Sequence, residues 1–242
     1  MRRVGCAGWS IASQAGGSFP AEGTHLERYA QVFDAVEINS SFYRPHRPQT
    51  YARWAASVPA HFRFSVKLPR AITHERRLVD IDAPLLDFAN QVTTLGDRLG
   101  CILIQLPPSL TFDALTADAF FKQMQTHFAC TVACEARHPS WFAPAATEML
   151  CRYGITRVIA DPPTGQPGPH SPTTALVYLR LHGSPHRYYS SYSDGYLDQL
   201  IVNMKTYTQA GRSIWCIFDN TASGAALWNA LSIVARRPAA TV

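Results

Sequence analysis

Apolar residues recur along this chain with two different periods, and the period switches from stretch to stretch. Alternation, or a short apolar run, marks eight segments: 3–8, AVEIN at 35–39, FRFSVKL at 62–68, CILIQL at 101–106, the start of TVACEARHPSWF at 131–142, TRVIAD at 156–161, ALVYLRLHG at 175–183 and SIWCIFDN at 213–220. Each has the length of a strand. Between them the spacing turns helical. Leu26, Tyr29, Ala30 and Phe33 share a face behind a capping Thr24; Tyr51, Trp54 and Ala55 follow Pro48; Leu85, Leu86, Phe88, Ala89 and Val92 build a helix over 84–96. Further helices are expected over 114–127, 143–153, 194–210 and 222–235. The segment PPTGQPGPHSPT at 162–173 holds five prolines and two glycines, which exclude a regular helix.

Eight evenly spread βα units with no linker or internal repeat predict one α/β domain over 1–242. The expected architecture is a single (β/α)8 TIM-like barrel in which the crossover between strands six and seven lacks its helix. An open doubly wound sheet is the alternative. Side-chain alternation separates the two, because successive strand residues face opposite sides. Val177, Leu179 and Leu181 oppose Tyr178, Arg180 and His182; Phe62, Phe64, Val66 and Leu68 oppose Arg63, Ser65 and Lys67. Val36 and Ile38 oppose Glu37 and Asn39, Ile102, Ile104 and Leu106 oppose Gln105, and Val132 and Cys134 oppose Glu135 and Arg137. A sheet covered by helices on both faces calls for continuous apolar strands. One apolar and one polar face argue for closure, with the polar set gathered near the C-terminal ends of the strands. Tyr43, Arg70, His74, His138, Asp161, Asp219 and Asn220 lie just past strand ends and can join it.

Composition narrows the function classes. Hydrophobic residues make up 47% of the chain and charged residues 16%, which suits a globular core and excludes disorder. The net charge of +5 favours an anionic ligand or weak nucleic-acid contact. Six cysteines without a C-x-x-C pair read as small core residues of a reducing compartment. No apolar run reaches membrane-spanning length and no signal core follows the first residues, so a cytoplasmic protein without membrane contact is expected.

Five motifs then resemble those of a known family: 33–74 (FDAVEINSSFYRPHRPQTYARWAASVPAHFRFSVKLPRAITH), 99–113 (LGCILIQLPPSLTFD), 134–142 (CEARHPSWF), 178–183 (YLRLHG) and 219–230 (DNTASGAALWNA). Their content and order are similar to the DUF72 (YecE-like) family. The resemblance implies a TIM-barrel fold and no assigned activity. The positions it matches are Glu37, Asn39, Phe42, Tyr43, Lys67, His74, Gln105, Pro107, Glu135, Arg137, His138, Trp141, Arg180, His182 and Asn220. The loop GWSIASQAGGSFP departs from the family pattern, lacking the aromatic pair expected after Gly-Trp.

These residues suggest an enzyme, of hydrolase, lyase or isomerase type, acting on a small phosphorylated or carboxylated substrate. Glu135, Lys67 and His182 are the candidate catalytic residues: Glu135 as general acid or base, with His182 or His138 as a second proton carrier. Lys67, Arg137 and Arg180 would hold the anion, and Tyr43 and Trp141 would form an aromatic wall. Glu37, Asn39, His74, Gln105 and Asn220 complete the candidate binding set. The sequence requires no cofactor and assigns no metal ligands. A divalent metal held by Glu37, Glu135, Asp161, His182 or Asp219 is the alternative, opposed by the nearby cations. A third reading is a nucleic-acid-binding barrel without catalysis, using Arg70–Arg77 and the Tyr/Ser-rich stretch 184–196, although such stretches also serve as lids. The purely structural alternative is an ion-pair network in which Glu37 pairs with Lys67 and Glu135 with an arginine.

Overall fold

The structure, a computed structural model, describes residues 1–236; the last six residues of the domain expected from the sequence lie outside that range. In chain order the strands are β1 (Arg2–Cys6), β2 (Ala35–Ile38), β3 (Arg63–Lys67), β4 (Leu99–Gln105), β5 (Thr131–Glu135), β6 (Ile155–Arg157), β7 (Ile159–Asp161), β8 (Leu176–Leu181) and β9 (Ser213–Phe218). The helices are α1 (His25–Ala30), α2 (Ser40–Tyr43), α3 (Pro48–Ala56), α4 (Asp82–Val92), α5 (Ala114–His127), α6 (Pro144–Arg152), α7 (Asp194–Gln209) and α8 (Ala225–Ala235).

The helix starts have local causes. Thr24 and Glu27 form a reciprocal capping box at α1, the Asp113 and Ser193 side chains cap α5 and α7, and proline occupies the first turn of α3 and α6. Residues 162–173 carry no helix, as their prolines require. No helix of the described residues is long and apolar enough to cross a membrane.

The strands run parallel in two sheets, ordered β2-β3-β4-β5-β6 and β1-β9-β8-β7. The hydrogen bonds therefore do not draw the uninterrupted eight-stranded ring expected from the sequence. The expected strand 156–161 divides at Val158: β6 pairs with β5, and β7 pairs with β8. On the other side a single parallel bridge, Ala7 to Glu37, joins β1 and β2.

At both seams a side-chain hydroxyl stands where ladder bonds would run. Between β1 and β2, the Tyr29 phenol accepts from the Cys6 N–H at 2.7 Å and donates to the Ala35 carbonyl at 3.1 Å. The backbones are so close there that a Cβ on Gly5 would lie 1.9 Å from the Ala35 carbonyl oxygen. Beside β6, the Thr173 hydroxyl accepts from the Arg157 N–H at 2.8 Å and donates to the Ile155 carbonyl at 2.6 Å.

The strand faces sort as the alternation predicts. Val36, Ile38, Phe64, Val66, Ile102, Ile104, Val132, Val177, Leu179 and Leu181 belong to the large core shared with helix residues such as Leu85, Phe88, Phe121 and Ile233. The opposite face is not polar throughout. Ala35, Cys101, Leu103, Ala133, Val158, Tyr178, Trp215 and Ile217 make a second apolar core. The same strands carry Glu37, Lys67, Gln105, Glu135 and Arg180 toward their C-terminal ends. The second core is thus a dry floor beneath the charged groups.

Candidate functional site

The charged residues converge on Arg180. Its guanidinium is fully buried and bonds Glu37 Oε1 at 2.7 Å, Glu135 Oε2 at 2.8 Å and Asp219 Oδ2 at 2.9 Å, with Nε 3.1 Å from both Glu37 oxygens. One planar fork from β8 thereby joins three carboxylates brought by β2, β5 and the end of β9. Beneath it the Tyr178 hydroxyl reaches Glu37 Oε2 and Ser65 Oγ, each at 2.8 Å. Burial, together with the adjacent Glu37, drives the Tyr178 hydroxyl well above the ordinary phenol range, so it stays a donor.

The other carboxylate oxygens are also taken. Glu135 Oε1 accepts from Arg137 Nε at 2.7 Å and Gln105 Nε2 at 3.1 Å, and lies 3.3 Å from His182 Nε2. Asp219 accepts from Asn39 Nδ2 at 3.1 Å and faces His182 Nδ1 at 2.9 Å. Burial alone would raise Glu135 and Asp219, yet Arg180 and His182 outweigh it, with Arg137 adding to the effect on Glu135. Glu135 ends well below the carboxylate range and Asp219 below it. His182 shows the converse. Burial opposes its charge, but its bonds to Asp219 and Glu135 raise it above the usual imidazole value, favouring an imidazolium between two carboxylates.

Lys67 differs from all of these. It ends β3 with 7% exposure and makes no ion pair with any carboxylate of the described residues; its Nζ lies 4.0 Å above the Phe42 ring. Its main chain is pinned by the Ser41 hydroxyl, which donates to the Lys67 carbonyl at 2.7 Å. Burial, followed by the Arg180 charge, lowers its ammonium from 10.5 to about 8, with Glu37, Asp219 and Glu135 only partly opposing. Of the purely structural alternative, the Glu135–arginine pairing is present, whereas Glu37 pairs with Arg180 and not with Lys67.

His74 is held nearby on a π-turn, Ala71–Glu75, with its ring edge against Phe42 at 5.0 Å. Burial and the charges of Lys67, Arg70 and Arg137 push its imidazole down to about 4, so it is neutral, and Nδ1 bonds the Thr73 hydroxyl at 2.8 Å. The loop that follows holds Arg77, Leu78 and Asp80 at positive φ (52°, 70° and 51°). Such conformations persist in non-glycine residues only where the surroundings impose them.

Other candidates fall outside the cluster. Trp141 is 1% exposed, donates to the Leu110 carbonyl at 2.9 Å and packs on Phe112 and Phe121, so it is core and not an aromatic wall. Tyr43 is 74% exposed and touches the edge of Phe42. Asn220 is fully buried and donates to the Ser190 carbonyl and Asn229 Oδ1, both at 2.9 Å, holding a loop. His138 caps the short turn Pro139–Phe142: its Nδ1 accepts from the Ser140 N–H and contacts the Ser140 hydroxyl, which in turn receives the Phe112 N–H. His138→Ala should cost about 1 kcal/mol in urea denaturation while leaving any ligand-induced thermal shift unchanged.

Of the aromatics in 184–196, only Tyr189 faces outward, at 62% exposure. Tyr188 lies edge-on to His182 at 5.5 Å with its hydroxyl 3.5 Å from Arg137, and Tyr192 is buried against Tyr196. Tyr188 has a positive φ of 69° and closes over the charged groups. From the crossover without a helix, Gly165, at φ 70°, packs so tightly that a Cβ would lie 2.2 Å from the Arg137 carbonyl oxygen. Among the described residues no three of His, Cys, Asp and Glu are arranged to hold a metal ion; the three carboxylates face a guanidinium.

Asp219, placed by the sequence past a strand end and among the alternative metal ligands, joins the cluster as an ion-pair partner, and Ser65, Tyr178 and Tyr188 complete it from outside the candidate set. Asp219 is the next residue in the alternation that runs through Trp215 and Ile217, so carrying the parity one step past the strand finds it. Ser65 and Tyr178 were on the polar face but uncharged. Nothing in the local sequence marks Tyr188 over its neighbouring tyrosines.

Comparison with known proteins agrees with this architecture. Residues 3–240 match a family described as "Protein of unknown function DUF72". The chain is 33% identical over 157 residues to the UPF0759 protein YecE of Escherichia coli (strain K12), an alignment covering 61% of this chain and 56% of that protein, little more than half its length. It is 24% identical over 263 residues to the UPF0759 protein YunF of Bacillus subtilis (strain 168), covering 95% and 92% of the two chains. The crystal structure of a DUF72 family protein from Thermotoga maritima superposes with a TM-score of 0.80 at 26% identity, over 96% of this chain and 97% of the other. One from Enterococcus faecalis has the same fold, with a TM-score of 0.82 at 22% identity over 99% and 97%.

Proposed function

This chain belongs to the DUF72 family of proteins of unknown function, and we propose that its clustered strand ends form an enzyme site for a small anionic substrate. The observation that carries the reading is the imbalance around Arg180. Glu37, Glu135 and Asp219 are matched by Arg180, Arg137 and the His182 imidazolium, which leaves Lys67 as a cation without a carboxylate partner. A buried surplus cation is costly unless an anion joins it or it gives up its proton. A phosphate or carboxylate would supply the missing charge, and Arg137, 12% exposed at its side chain, is the second contact.

Proton transfer divides differently from the roles suggested by sequence. Glu135, held ionised, serves to stabilise cations; His182 is the general acid, and the minority of Lys67 that is unprotonated, its ammonium lowered to about 8, is the general base. Arg180 is the positioning residue that fixes the three carboxylates. The scaffold we read as an eight-stranded α/β barrel: β6 and β7 form one strand path, and the Ala7–Glu37 bridge spans the other seam. Tyr178 and Arg180 of one sheet bond Glu37 of the other, which supports two halves enclosing one interior.

Thermal unfolding in the presence of phosphorylated and carboxylated metabolites tests the reading. A ligand at a hundred times its Kd stabilises by about 2.7 kcal/mol. The shift should vanish in Lys67→Ala while the apo variant stays folded. A shift that survives in folded Lys67→Ala refutes the anion site. If Lys67→Ala and Glu135→Gln both collapse the apo protein without altering binding, the cluster is structural.

A further inference from the structure

Resting on the anion-site reading, we infer that Lys67 is a nucleophile and that the substrate is a small carbonyl compound bearing a carboxylate or phosphate, held as an imine on Nζ. The surroundings of the amine support this over a merely electrostatic role. A lysine that serves only to balance charge sits against carboxylates, and here each of the three nearby carboxylates is spent on Arg180, Arg137 or His182. Nζ is placed instead over the Phe42 ring and near the Arg180 guanidinium. Burial from water and an adjacent cation are the two devices that keep an amine unprotonated and nucleophilic, and here they outweigh the attraction of the ammonium to the Phe42 face. With the ammonium lowered to about 8, roughly a tenth of the molecules carry the free amine at pH 7.

The remaining groups match the requirements of imine formation. The Nζ lone pair attacks the carbonyl carbon, a C–N bond forms, and the carbonyl oxygen takes the proton given up by the His182 imidazolium. Loss of one nitrogen proton to solvent gives a neutral carbinolamine. His182, reprotonated from solvent, then protonates its hydroxyl and breaks the C–O bond; water leaves as the nitrogen lone pair forms the protonated imine, and His182 regains its proton from solvent. No oxidant or reductant is needed. The resulting iminium replaces the ammonium charge next to Glu37, Glu135 and Asp219, so the cluster's balance is retained. The substrate's own anion meets Arg137, whose Nη1 makes no bond to the described residues.

The sequence supplies an internal control, because the chain has only three lysines, Lys67, Lys122 and Lys205. Lys122 is ion-paired with Asp118 at 2.7 Å and Lys205 is exposed on α7. The full chain is incubated separately with pyruvate, glyoxylate and dihydroxyacetone phosphate, reduced with borohydride, and mapped by peptide mass spectrometry. The expected result with at least one probe is a secondary-amine adduct at Lys67 in at least tenfold excess over Lys122, Lys205 and the terminal amine. Its yield should rise from pH 6 to pH 8. Lys67→Arg, which keeps the cation, should lose the adduct yet retain thermal stabilisation by the same probe. Adducts at Lys67 no more abundant than at the surface lysines, or none at all, overturn the inference. A probe that stabilises the protein without trapping leaves the anion site standing and removes the imine alone; absence of both effects for every probe removes both.

Discussion

Arg180→Met is expected to leave the protein unfolded at pH 7, or less stable by at least about 4 kcal/mol in urea denaturation, because breaking one buried ion pair already costs roughly 3–5 kcal/mol. Here three carboxylates lose their shared partner at once, and Glu37 sits at 0% exposure with no other cation bonded to it among the described residues. Arg180→Lys should rescue little. A single ammonium cannot reach Glu37, Glu135 and Asp219 in the fork geometry that Nε, Nη1 and Nη2 provide. The pH dependence has a definite sign. In the native protein the folded pKa values of Glu135 and Asp219 lie below their unfolded values. They therefore contribute stability above pH 4.5 that is lost as pH falls through the folded values. In Arg180→Met the charge that most opposes burial is gone and their folded values rise, so the variant loses less stability than the native protein as pH falls toward 5. The deficit relative to the native protein should shrink between pH 7 and pH 5. A deficit constant over that range, or below 1 kcal/mol at pH 7, would sink the account of Arg180 as the hub of the cluster.

The same cluster shows what a single sequence can and cannot convey. Alternation in FRFSVKL and ALVYLRLHG assigned Lys67, Arg180 and His182 to one face, and geometry brought them together with Glu37, Gln105 and Glu135, because a strand's period of two is set by backbone stereochemistry alone. Partnership was not legible. The structural alternative pairs Glu37 with Lys67 on the adjacent strand, but Arg180 reaches Glu37 from the other sheet, and contacts across an interior depend on the tilt and spacing of elements far apart in sequence. The two seams escaped for a similar reason. Tyr29 and Thr173 lie outside the strands, and only the folded arrangement puts their hydroxyls between strand backbones. Trp141 misled because a large aromatic beside Glu135, Arg137 and His138 looks functional in sequence, whereas the turn at Pro139 rotates it into the core under Leu110. The π-turn bearing His74 had no signal beyond a long connection after β3.

Lys67→Met should have the opposite sign from Arg180→Met: a more stable protein that has lost its ligand. Lowering the ammonium from 10.5 to about 8 means that the folded state disfavours the charge by about 3 kcal/mol. Contact with the Phe42 face returns roughly 1 kcal/mol of this. A methionine of similar length fills the space above Phe42 without charge, so a net gain of about 2 kcal/mol is expected at pH 7. The sign follows from linkage. Below pH 8 both folded and unfolded chains bind the Lys67 proton and the full penalty applies. Between pH 8 and 10.5 the unfolded chain alone holds it, so native stability rises with pH and the advantage of the variant declines. Urea denaturation of both proteins at pH 7 and pH 10 measures the difference directly, and the other titrating groups largely cancel between them. If Lys67 instead served to neutralise Glu37, Glu135 and Asp219, removing it would leave surplus buried negative charge and Lys67→Met would be the less stable protein at pH 7. A substitution that stabilises the fold while abolishing anion-induced stabilisation is the signature of a group retained for chemistry at the expense of stability, and Lys67 is the residue of this cluster for which the two readings predict opposite signs.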